Sequence, residues 1–324
     1  EVTTYFGGNV GIGTTTPGSK LTVAGDTKIT GNIDNTADSG TTPAIVSSGA
    51  GGMLFNSSRL LTISGSYAYG VSSFDGFRVI NLSNPTSPTA VAGTSVTSPV
   101  AVAVSGKYGY VVDSNANNLT VVDISNPSSP TIISTVGIGV TPLSIEVSGR
   151  YAYIGTSSNF TVVDISNPAS PSIVSTITTN ASGAYDIAIS GNYAYLARGG
   201  SSHLAIINIS NPSSPVVTGG VSLSTGSFTV GVDVSGGYAY AINQNGSPTI
   251  YAINVSNPAS PSITGTLSLP AANDLVVSGR YAYITSSGSG LRIVDLINPA
   301  SLRIVGTQSG ATAQRLRSLE DMHI

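Results

Sequence analysis

The sequence predicts an all-β fold, a six-bladed β-propeller with an extended N-terminal β segment, because two motifs recur along most of the chain. The first is a Ser-Gly-x-Tyr-x-Tyr hairpin, and its leading serines are Ser64, Ser105, Ser148, Ser190, Ser235 and Ser278. The second is a strand that runs into an Asn-Pro turn, and its prolines are Pro85, Pro127, Pro168, Pro212, Pro258 and Pro299. A period of about 40 to 45 residues that carries several short strands is typical of a propeller blade.

Each repeat is expected to supply four antiparallel strands. In the third repeat, apolar Leu143, Ile145 and Val147 alternate with polar residues, which is the pattern of a first, innermost strand with unlike faces. Gly149 allows the positive φ that a tight hairpin turn requires before the second strand begins. A third strand is predicted at 160–165, and a proline-flanked turn leads to an outermost fourth strand, since proline cannot donate to a β ladder.

The tyrosines follow the same repeat. Twelve of the fifteen occupy the two tyrosine positions of the hairpin motif. Residues two apart on a strand share one face of the sheet, so each pair of tyrosines presents one large apolar surface. We interpret these tyrosines as packing units between neighbouring sheets rather than as a cage for a ligand.

The repeats resemble the LVIVD-repeat β-propellers, whose blades carry a third strand like Val162-Val163-Asp164-Ile165 and a hairpin like the one described above. The resemblance extends from about residue 56 to residue 308. It implies a propeller in a family whose members are typically secreted or surface proteins without an assigned reaction. The sixth repeat differs at Ile297 and Leu302, where the other copies have Ser and Pro.

Three segments are predicted: residues 1–42 as an extended segment, 43–310 as the propeller and 311–324 as a tail that could form a short helix. Between Gly8 and Gly25 the first segment resembles short repeats of phage tail fibres and bacterial surface fibres, which implies a β segment used in oligomeric stalks. Alternatively, residues 21–31 begin a degenerate seventh blade, which would make the propeller seven-bladed.

Residues 43–48 also look like a fourth strand, which gives seven such strands for six blades. Either these residues complete the last blade and leave 302–307 spare, or a spare strand pairs with another subunit. The sequence does not choose between these two arrangements.

Composition limits the possible partners. Charged residues make up 8% of the chain and the net charge is −3, so we expect neither nucleic acid nor an anionic membrane as a partner. No apolar run is long enough for a transmembrane helix, and the absence of cysteine excludes disulfides. The chain begins at Glu1 rather than Met, so we expect a processed product or fragment that acts outside the cytoplasm.

Few residues have the character of catalysts. The only histidines are His203 and His323, too few for a Ser/His/Asp arrangement or a histidine metal site, and we expect both at the surface. The third strand ends in Asp in three blades and in Asn in the other three, which predicts strand-end hydrogen bonding rather than acid–base catalysis. These residues are Asp123, Asp164, Asp295, Asn81, Asn208 and Asn254. Residues 113–118 faintly resemble a calcium loop, but a plain polar hairpin loop is favoured.

The strongest candidates for a site are Glu146, Asp186, Asp233 and Asp274, which lie on predicted innermost strands two or four residues before the hairpin serine. These positions share one face of a strand. If that face looks toward the central channel, the four carboxylates converge and could hold a hard cation such as Ca²⁺, or a polar ligand, through oxygen atoms. The favoured interpretation is structural, with these acids accepting hydrogen bonds from backbone amides in neighbouring loops.

We therefore expect a non-enzymatic extracellular protein, a self-associating surface, fibre or filament subunit without a cofactor. An adhesive propeller that binds glycans or proteins is the alternative, and exposure of Phe74, Phe77 or Phe160 in loops would favour it. A hydrolase or lyase that uses channel carboxylates is the third reading, and it would require two carboxylates in close proximity.

Overall fold

The computed structural model describes residues 10–12, 21–23, 61–72, 75–84, 86–179, 182–200, 203–223, 228–244, 248–286 and 290–308. The chain divides into two compact units, residues 1–41 and 42–324. In the first unit, β1 (Val10–Ile12) pairs in parallel with β2 (Leu21–Val23). The predicted strand at 43–48 and the tail at 311–324 lie outside the described residues.

The described part of the second unit forms six four-stranded antiparallel sheets, which we number as blades 1 to 6 in chain order. Blade 1 consists of β3 (Leu61–Ser64), β4 (Tyr67–Ser72), β5 (Gly76–Asn81) and β6 (Thr89–Thr94). Blade 2 consists of β7 (Pro99–Ser105), β8 (Tyr108–Asp113), β9 (Asn118–Asp123) and β10 (Thr131–Gly137). Blade 3 consists of β11 (Pro142–Ser148), β12 (Tyr151–Thr156), β13 (Asn159–Asp164) and β14 (Ser172–Thr178).

The remaining three blades repeat this order. Blade 4 consists of β15 (Ala184–Ser190), β16 (Tyr193–Arg198), β17 (Leu204–Asn208) and β18 (Val216–Val221). Blade 5 consists of β19 (Thr229–Ser235), β20 (Tyr238–Asn243), β21 (Thr249–Asn254) and β22 (Ser262–Ser268). Blade 6 consists of β23 (Asp274–Ser278), β24 (Tyr281–Ser286), β25 (Gly290–Asp295) and β26 (Arg303–Gln308). The predicted six-bladed, all-β propeller is thus confirmed.

The hairpin between the first and second strands has the predicted turn. Ser148 pairs with Tyr151, which leaves Gly149 and Arg150 as a two-residue loop. Gly149 has a φ of 58°, the positive value that a type II′ hairpin requires at this position. Every blade has a glycine with positive φ here, so the turn chemistry sets the register of all six first hairpins.

Apolar cores lie between successive blades, as the tyrosine pattern predicts. Between blades 3 and 4, for example, Tyr153 and Phe160 pack with Leu196 and Ile207, and the rings of Tyr153 and Phe160 stack with centroids 6.0 Å apart. The second tyrosine of the hairpin is buried in each of the first five blades. Each sheet is therefore held mainly by burial of apolar surface against its neighbours.

The Asp or Asn at the end of the third strand caps the following turn in all six blades. Its side-chain oxygen accepts a hydrogen bond from the backbone N–H two residues later, at 2.8 Å from Asp123 to Ser125 and at 3.0 Å from Asn254 to Ser256. The other four bonds join Asn81 to Ser83, Asp164 to Ser166, Asn208 to Ser210 and Asp295 to Ile297. The predicted strand-end hydrogen bonding is confirmed, because Asn and Asp provide the same acceptor oxygen.

The last blade consists of four strands that are consecutive in the sequence. β26 pairs with β25 as the outermost strand of blade 6. The arrangement in which residues 43–48 complete this blade and leave 302–307 spare is therefore wrong. The described residues include no helix with the length and apolarity to cross a bilayer.

Candidate functional site

The four predicted carboxylates lie on the innermost strands of four consecutive blades. Glu146 is on β11 and Asp233 on β19, and each stands opposite the second tyrosine of its own blade. Asp186 is on β15 and Asp274 on β23. These four strands contain neither Lys nor Arg, so the acids are the only charged residues on the innermost strands of blades 3 to 6.

Two of the carboxylates connect neighbouring blades. Asp186 in blade 4 accepts a hydrogen bond from the backbone N–H of Val232 in blade 5 at 3.0 Å. Asp233 in blade 5 accepts one from the N–H of Val277 in blade 6 at 2.7 Å. An innermost strand has a ladder partner on one side only, so these acids satisfy donors that the sheet leaves unpaired.

Polar side chains make related bonds nearby. Ser144 in blade 3 donates to the carbonyl of Ala184 in blade 4 at 2.8 Å, so hydrogen bonds between innermost strands join blades 3 to 6 in sequence. Asp233 also accepts from the N–H of Val234, and Asp274 accepts from the N–H of Leu275. These acids accept hydrogen bonds from backbone amides, as in the favoured structural interpretation. The donors, however, lie on innermost strands and not in loops.

The electrostatic environment of Asp233 differs from that of an exposed carboxylate. The pKa of Asp233 is raised to about 7, mainly by burial and also by the negative charges of Asp186 and Glu146, while the amide donors Val277 and Val234 oppose the shift. Asp233 therefore changes its charge near neutral pH.

The described residues do not provide a metal site. Among them, no group of three or more His, Asp or Glu side chains could hold a metal ion. The proposed convergence of four carboxylates on Ca²⁺ is thus not supported, and one oxygen atom each of Asp186 and Asp233 accepts a hydrogen bond from an amide in the next blade.

Several other sequence candidates are placed differently from the expectation. His203 is buried, with 3% of its surface exposed, and its Nδ1 accepts a hydrogen bond from the N–H of Leu223 at 3.0 Å, so the surface role predicted for it is wrong. Phe77 and Phe160 are fully buried core residues and not exposed loop aromatics. Phe74 and His323 lie outside the described residues.

The loop at Asp113 is a plain hairpin loop. One carboxylate oxygen of Asp113 accepts hydrogen bonds from the N–H groups of Asn115 and Ala116, both at 2.8 Å. The other oxygen accepts from the N–H of Ser98 at 3.0 Å. Asp113 is buried and holds the loop together, which agrees with the favoured reading of this segment.

The ion pairs between the first hairpin and the third strand of a blade were not predicted from the sequence. Arg150 forms an ion pair with Asp164, and Arg280 forms one with Asp295. The signal is present in the sequence, because the hairpin position before the first tyrosine is basic in the blades whose third strand ends in Asp and neutral in those where it ends in Asn. The basic residues are Lys107, Arg150 and Arg280, and the neutral ones are Ser66, Asn192 and Gly237.

Sequence reasoning also missed an apolar band on the outermost strands, which we call the rim. Apart from Phe228 and Ile297, every large apolar side chain that is exposed among the described residues lies on one of these strands. The rim residues are Ile132, Ile133, Ile173, Val216, Val217, Ile263, Ile304 and Val305. Their regular placement makes the rim a second candidate site, for contact with another protein.

Comparison with known proteins agrees with the fold. The model of the LVIVD repeat matches residues 57–94, 100–137, 143–179, 182–222, 228–268 and 271–308. These six segments coincide with the six blades, and no match falls on residues 1–56, so the resemblance of the N-terminal segment to fibre proteins is unsupported. No curated protein sequence matches the chain.

Similar solved structures show the same architecture at low identity. A functionally unknown protein from Desulfotomaculum acetoxidans is 15% identical, with a TM-score of 0.64 over 79% of this chain and 92% of that one. A chain of a mitotic checkpoint complex is 14% identical, with a TM-score of 0.67 over 90% and 93%. A candidate 6-phosphogluconolactonase from Bacteroides uniformis is 14% identical, with a TM-score of 0.64 over 74% and 80%. At these identities the likeness concerns the fold alone.

Proposed function

The chain belongs to the LVIVD repeat family, and from this membership and the exposed rim we propose that it is a structural protein that self-associates outside the cytoplasm. The observation that carries the proposal is the exposure of β-branched side chains at one repeated position of the outermost strands. The lack of cysteine and the Gly-, Ser- and Thr-rich composition are compatible with this setting.

The rim is regular and not a scatter of single residues. In five blades the residue before the bulge of the outermost strand is an exposed Ile or Val, and in blade 1 it is Ala90. The five residues are Ile132, Ile173, Val217, Ile263 and Ile304. Single exposed apolar residues are normal, but a repeated band is a feature of interaction surfaces.

The strands of the rim favour side-chain packing over strand addition. Each outermost strand has a register shift at the same place, for example between Ile132 and Ser134, and such bulges discourage a further strand from pairing at the edge. The edge is also covered in part, because Ser175 donates to the carbonyl of Pro212 in the next blade at 2.7 Å. We therefore expect two rims to meet through their Ile and Val side chains.

Electrostatic repulsion between copies is weak. The chain has 12 basic and 15 acidic residues in 324, and a net charge of −3. Proteins with so little net charge associate more readily than strongly charged ones. A second copy of this chain, whose rim carries the same apolar residues, is thus a suitable partner for the rim.

Light scattering of the purified chain tests the proposal. The chain is expected to have a mass above that of a monomer, and the double substitution Ile132→Lys and Ile133→Lys is expected to reduce the mass. The matched control, Thr131→Lys with Thr135→Lys, adds the same charge to exposed positions of the same strand and is expected to leave the mass unchanged. A monomeric wild-type chain at all accessible concentrations would overturn the proposal.

Glycan recognition is a second candidate function, favoured by one aromatic pair. Phe228 is 39% exposed and meets the ring of Tyr185 edge to face, with centroids 5.8 Å apart. Exposed aromatic rings stack on the apolar faces of ligands. Saturation-transfer NMR with a panel of oligosaccharides tests this function: transfer to a sugar that Phe228→Ala abolishes would support it, and no transfer to any sugar would reject it.

A further inference from the structure

The face of blade 6 that looks away from blade 5 is less well covered than the same face of any other blade. Tyr283, Leu291 and Ile293 are half-buried there. At the position of Leu291 the other blades have Phe77, Leu119, Phe160, Leu204 and Ile250, all 0% exposed. At the position of Ile293 they have Val79, Val121, Val162, Ile206 and Ala252, also 0% exposed. The incomplete covering is therefore particular to the last blade.

Blade 1 is incompletely covered on its opposite face. Leu61 and Leu82 are half-buried, on the face that every later blade turns toward its predecessor. Their counterparts in blade 2, Val102 and Ile124, are 0% and 4% exposed. We call the five half-buried residues Tyr283, Leu291, Ile293, Leu61 and Leu82 the seam.

The seam is entirely apolar apart from the tyrosine hydroxyl. Between the other blades, equivalent residues form continuous cores, such as the core that joins Tyr240 and Ile250 of blade 5 to Leu275 and Ile284 of blade 6. A segment that covered the seam would remove further apolar surface from water, which is favourable. The seam therefore leaves apolar surface that a further segment could cover.

The chain supplies such a segment next to the seam. β26 ends at Gln308, which stands directly opposite Leu291 in the β ladder. Residues 309 and 310 and the tail, residues 311–324, therefore follow a strand that is the direct neighbour of a seam strand. Neighbouring strands are about 4.8 Å apart, so even a helical tail, at about 1.5 Å per residue, reaches across β25 and β24.

The tail has the composition that the seam would accept. Its apolar residues include Leu316, Leu319 and Ile324, while Arg315 and Arg317 flank the first of them. Leu316 and Leu319 are three residues apart and so share one face of a helix. An amphipathic helix that lays such a face into an apolar groove is a common mode of recognition.

We propose that the tail of the same chain packs Leu316 and Leu319 onto the seam and covers the last interface of the propeller. This inference concerns one chain and does not depend on the proposed self-association. A second copy, or the segment that precedes β3, would be a different occupant.

Cross-linking tests the proposal directly, because the chain contains no cysteine and two can be introduced without background. The variant with Ile293→Cys and Leu319→Cys is expected to form a disulfide within one chain under mild oxidation. The control with Val217→Cys and Leu319→Cys, whose first site is an exposed rim position of blade 4, is expected to form none. Gel mobility with and without reductant, followed by peptide mass mapping, identifies the products.

Each other outcome of this experiment overturns the proposal. Equal cross-linking in the control would mean that the tail has no preferred site, and absence of a disulfide in both variants would mean that it does not dock. Disulfide-linked dimers alone would assign the seam to a second copy. Disulfide formation between Ile45→Cys and Ile293→Cys, in place of Leu319→Cys, would assign it to the segment before β3.

Hydrogen exchange provides a second readout that needs no cross-link. A chain that ends at Gln308 and the variant Leu316→Ser with Leu319→Ser are both expected to exchange amides of β24 and β25 several-fold faster than the full chain. The amides of β20 and β21 in blade 5 are expected to be unaffected. Arg315→Ser with Arg317→Ser is the matched control and should exchange like the full chain; unchanged β24 and β25 in the truncated chain would overturn the proposal.

Discussion

Arg280 holds Asp295 through two parallel hydrogen bonds, from its Nε and from one of its terminal nitrogens, both 2.7 Å long. Arg303 on β26 adds two bonds to the same carboxylate, at 2.9 and 3.2 Å. Paired, parallel bonds of this kind are the strong form of an ion pair. The first hairpin, the third strand and the outermost strand of blade 6 are thereby joined at one carboxylate.

Asp295→Asn is expected to lower the free energy of unfolding by about 1–2 kcal/mol, since it removes the ion pairs and keeps the acceptor for the amide of Ile297. Urea denaturation followed by circular dichroism measures the change. The matched control Asp123→Asn, in a blade without a close ion pair among the described residues, should cost less than about 0.5 kcal/mol. Equal losses in both variants would contradict the role given to the arginines.

Acid is expected to weaken blade 3 through Asp164. The hydrogen bond and ion pair with Arg150 lower the pKa of Asp164 to about 2, below the 3.8 of an unpaired carboxyl. The contribution of Asp164 is therefore present above pH 3.8 and is lost as the pH falls toward 2. NMR titration of the Asp164 carboxyl and of the Arg150 side chain checks this, and a midpoint near pH 4 would contradict it.

Asp233 is expected to have the opposite effect on stability, which it lowers as the pH rises. Its pKa is about 7 in the folded chain, so protonation of Asp233 favours the folded state. This contribution to stability is complete below pH 3.8 and is lost as the pH rises through 7. Asp233→Asn should match the wild type at pH 4 and exceed its stability by about 1–3 kcal/mol at pH 8. Urea denaturation across this range measures both. Asp75→Asn, at a half-exposed aspartate 3.6 Å from Arg78, controls for the loss of one negative charge elsewhere in the chain.

Gly219→Ala is expected to destabilise the contact between blades 4 and 5. A Cβ at Gly219 would overlap the carbonyl oxygen of Pro258 and lie 3.2 Å from Ala259. Overpacking of this kind typically costs about 1–3 kcal/mol. The control Gly137→Ala, where a Cβ meets nothing within 4 Å, should be neutral or slightly stabilising in the same denaturation assay.

Phe160→Ala is expected to lower the free energy of unfolding by about 3–5 kcal/mol, because it leaves a cavity between blades 3 and 4 and removes the ring that stacks on Tyr153. Phe228→Ala removes the same side chain from an exposed position and should cost far less. Thermal unfolding of both variants compares them. Similar losses would mean that Phe228 is packed in solution.

Much of the fold could be predicted because it depends on local chemistry. Gly149 forms its turn through its own φ, and Asp164 caps the amide two residues later, so each can be inferred from a few neighbours. The core positions of the tyrosines follow from the sequence for a similar reason, since residues two apart on a strand share a face.

The site was harder to predict because its partners are far apart in sequence. Asp186 and the amide of Val232 are 46 residues apart, and only the stacking of blades 4 and 5 brings them together. His203 is buried and accepts a hydrogen bond from the amide of Leu223, 20 residues away, and nothing near His203 in the sequence indicates this contact. Phe160 opens the predicted third strand, and its exposure could not be judged from its neighbours; it shares a face with Tyr153 and so enters the core.

The hydrogen bonds that the amides of Val232 and Val277 donate to Asp186 and Asp233 have the same direction around the ring, since each acceptor lies in one blade and its donor in the next. The blades of a repeat protein are often treated as equivalent units. Blades 4, 5 and 6 are not equivalent, because they differ in the hydrogen bonds that their innermost strands make to the next blade. Moving blade 5 elsewhere in the ring would separate the Val277 amide from its acceptor. Asp233 would then lie beside an innermost strand that does not normally donate to it. Blades 1 and 2 have no carboxylate on β3 and β7, so this constraint on the order of the blades does not apply to them.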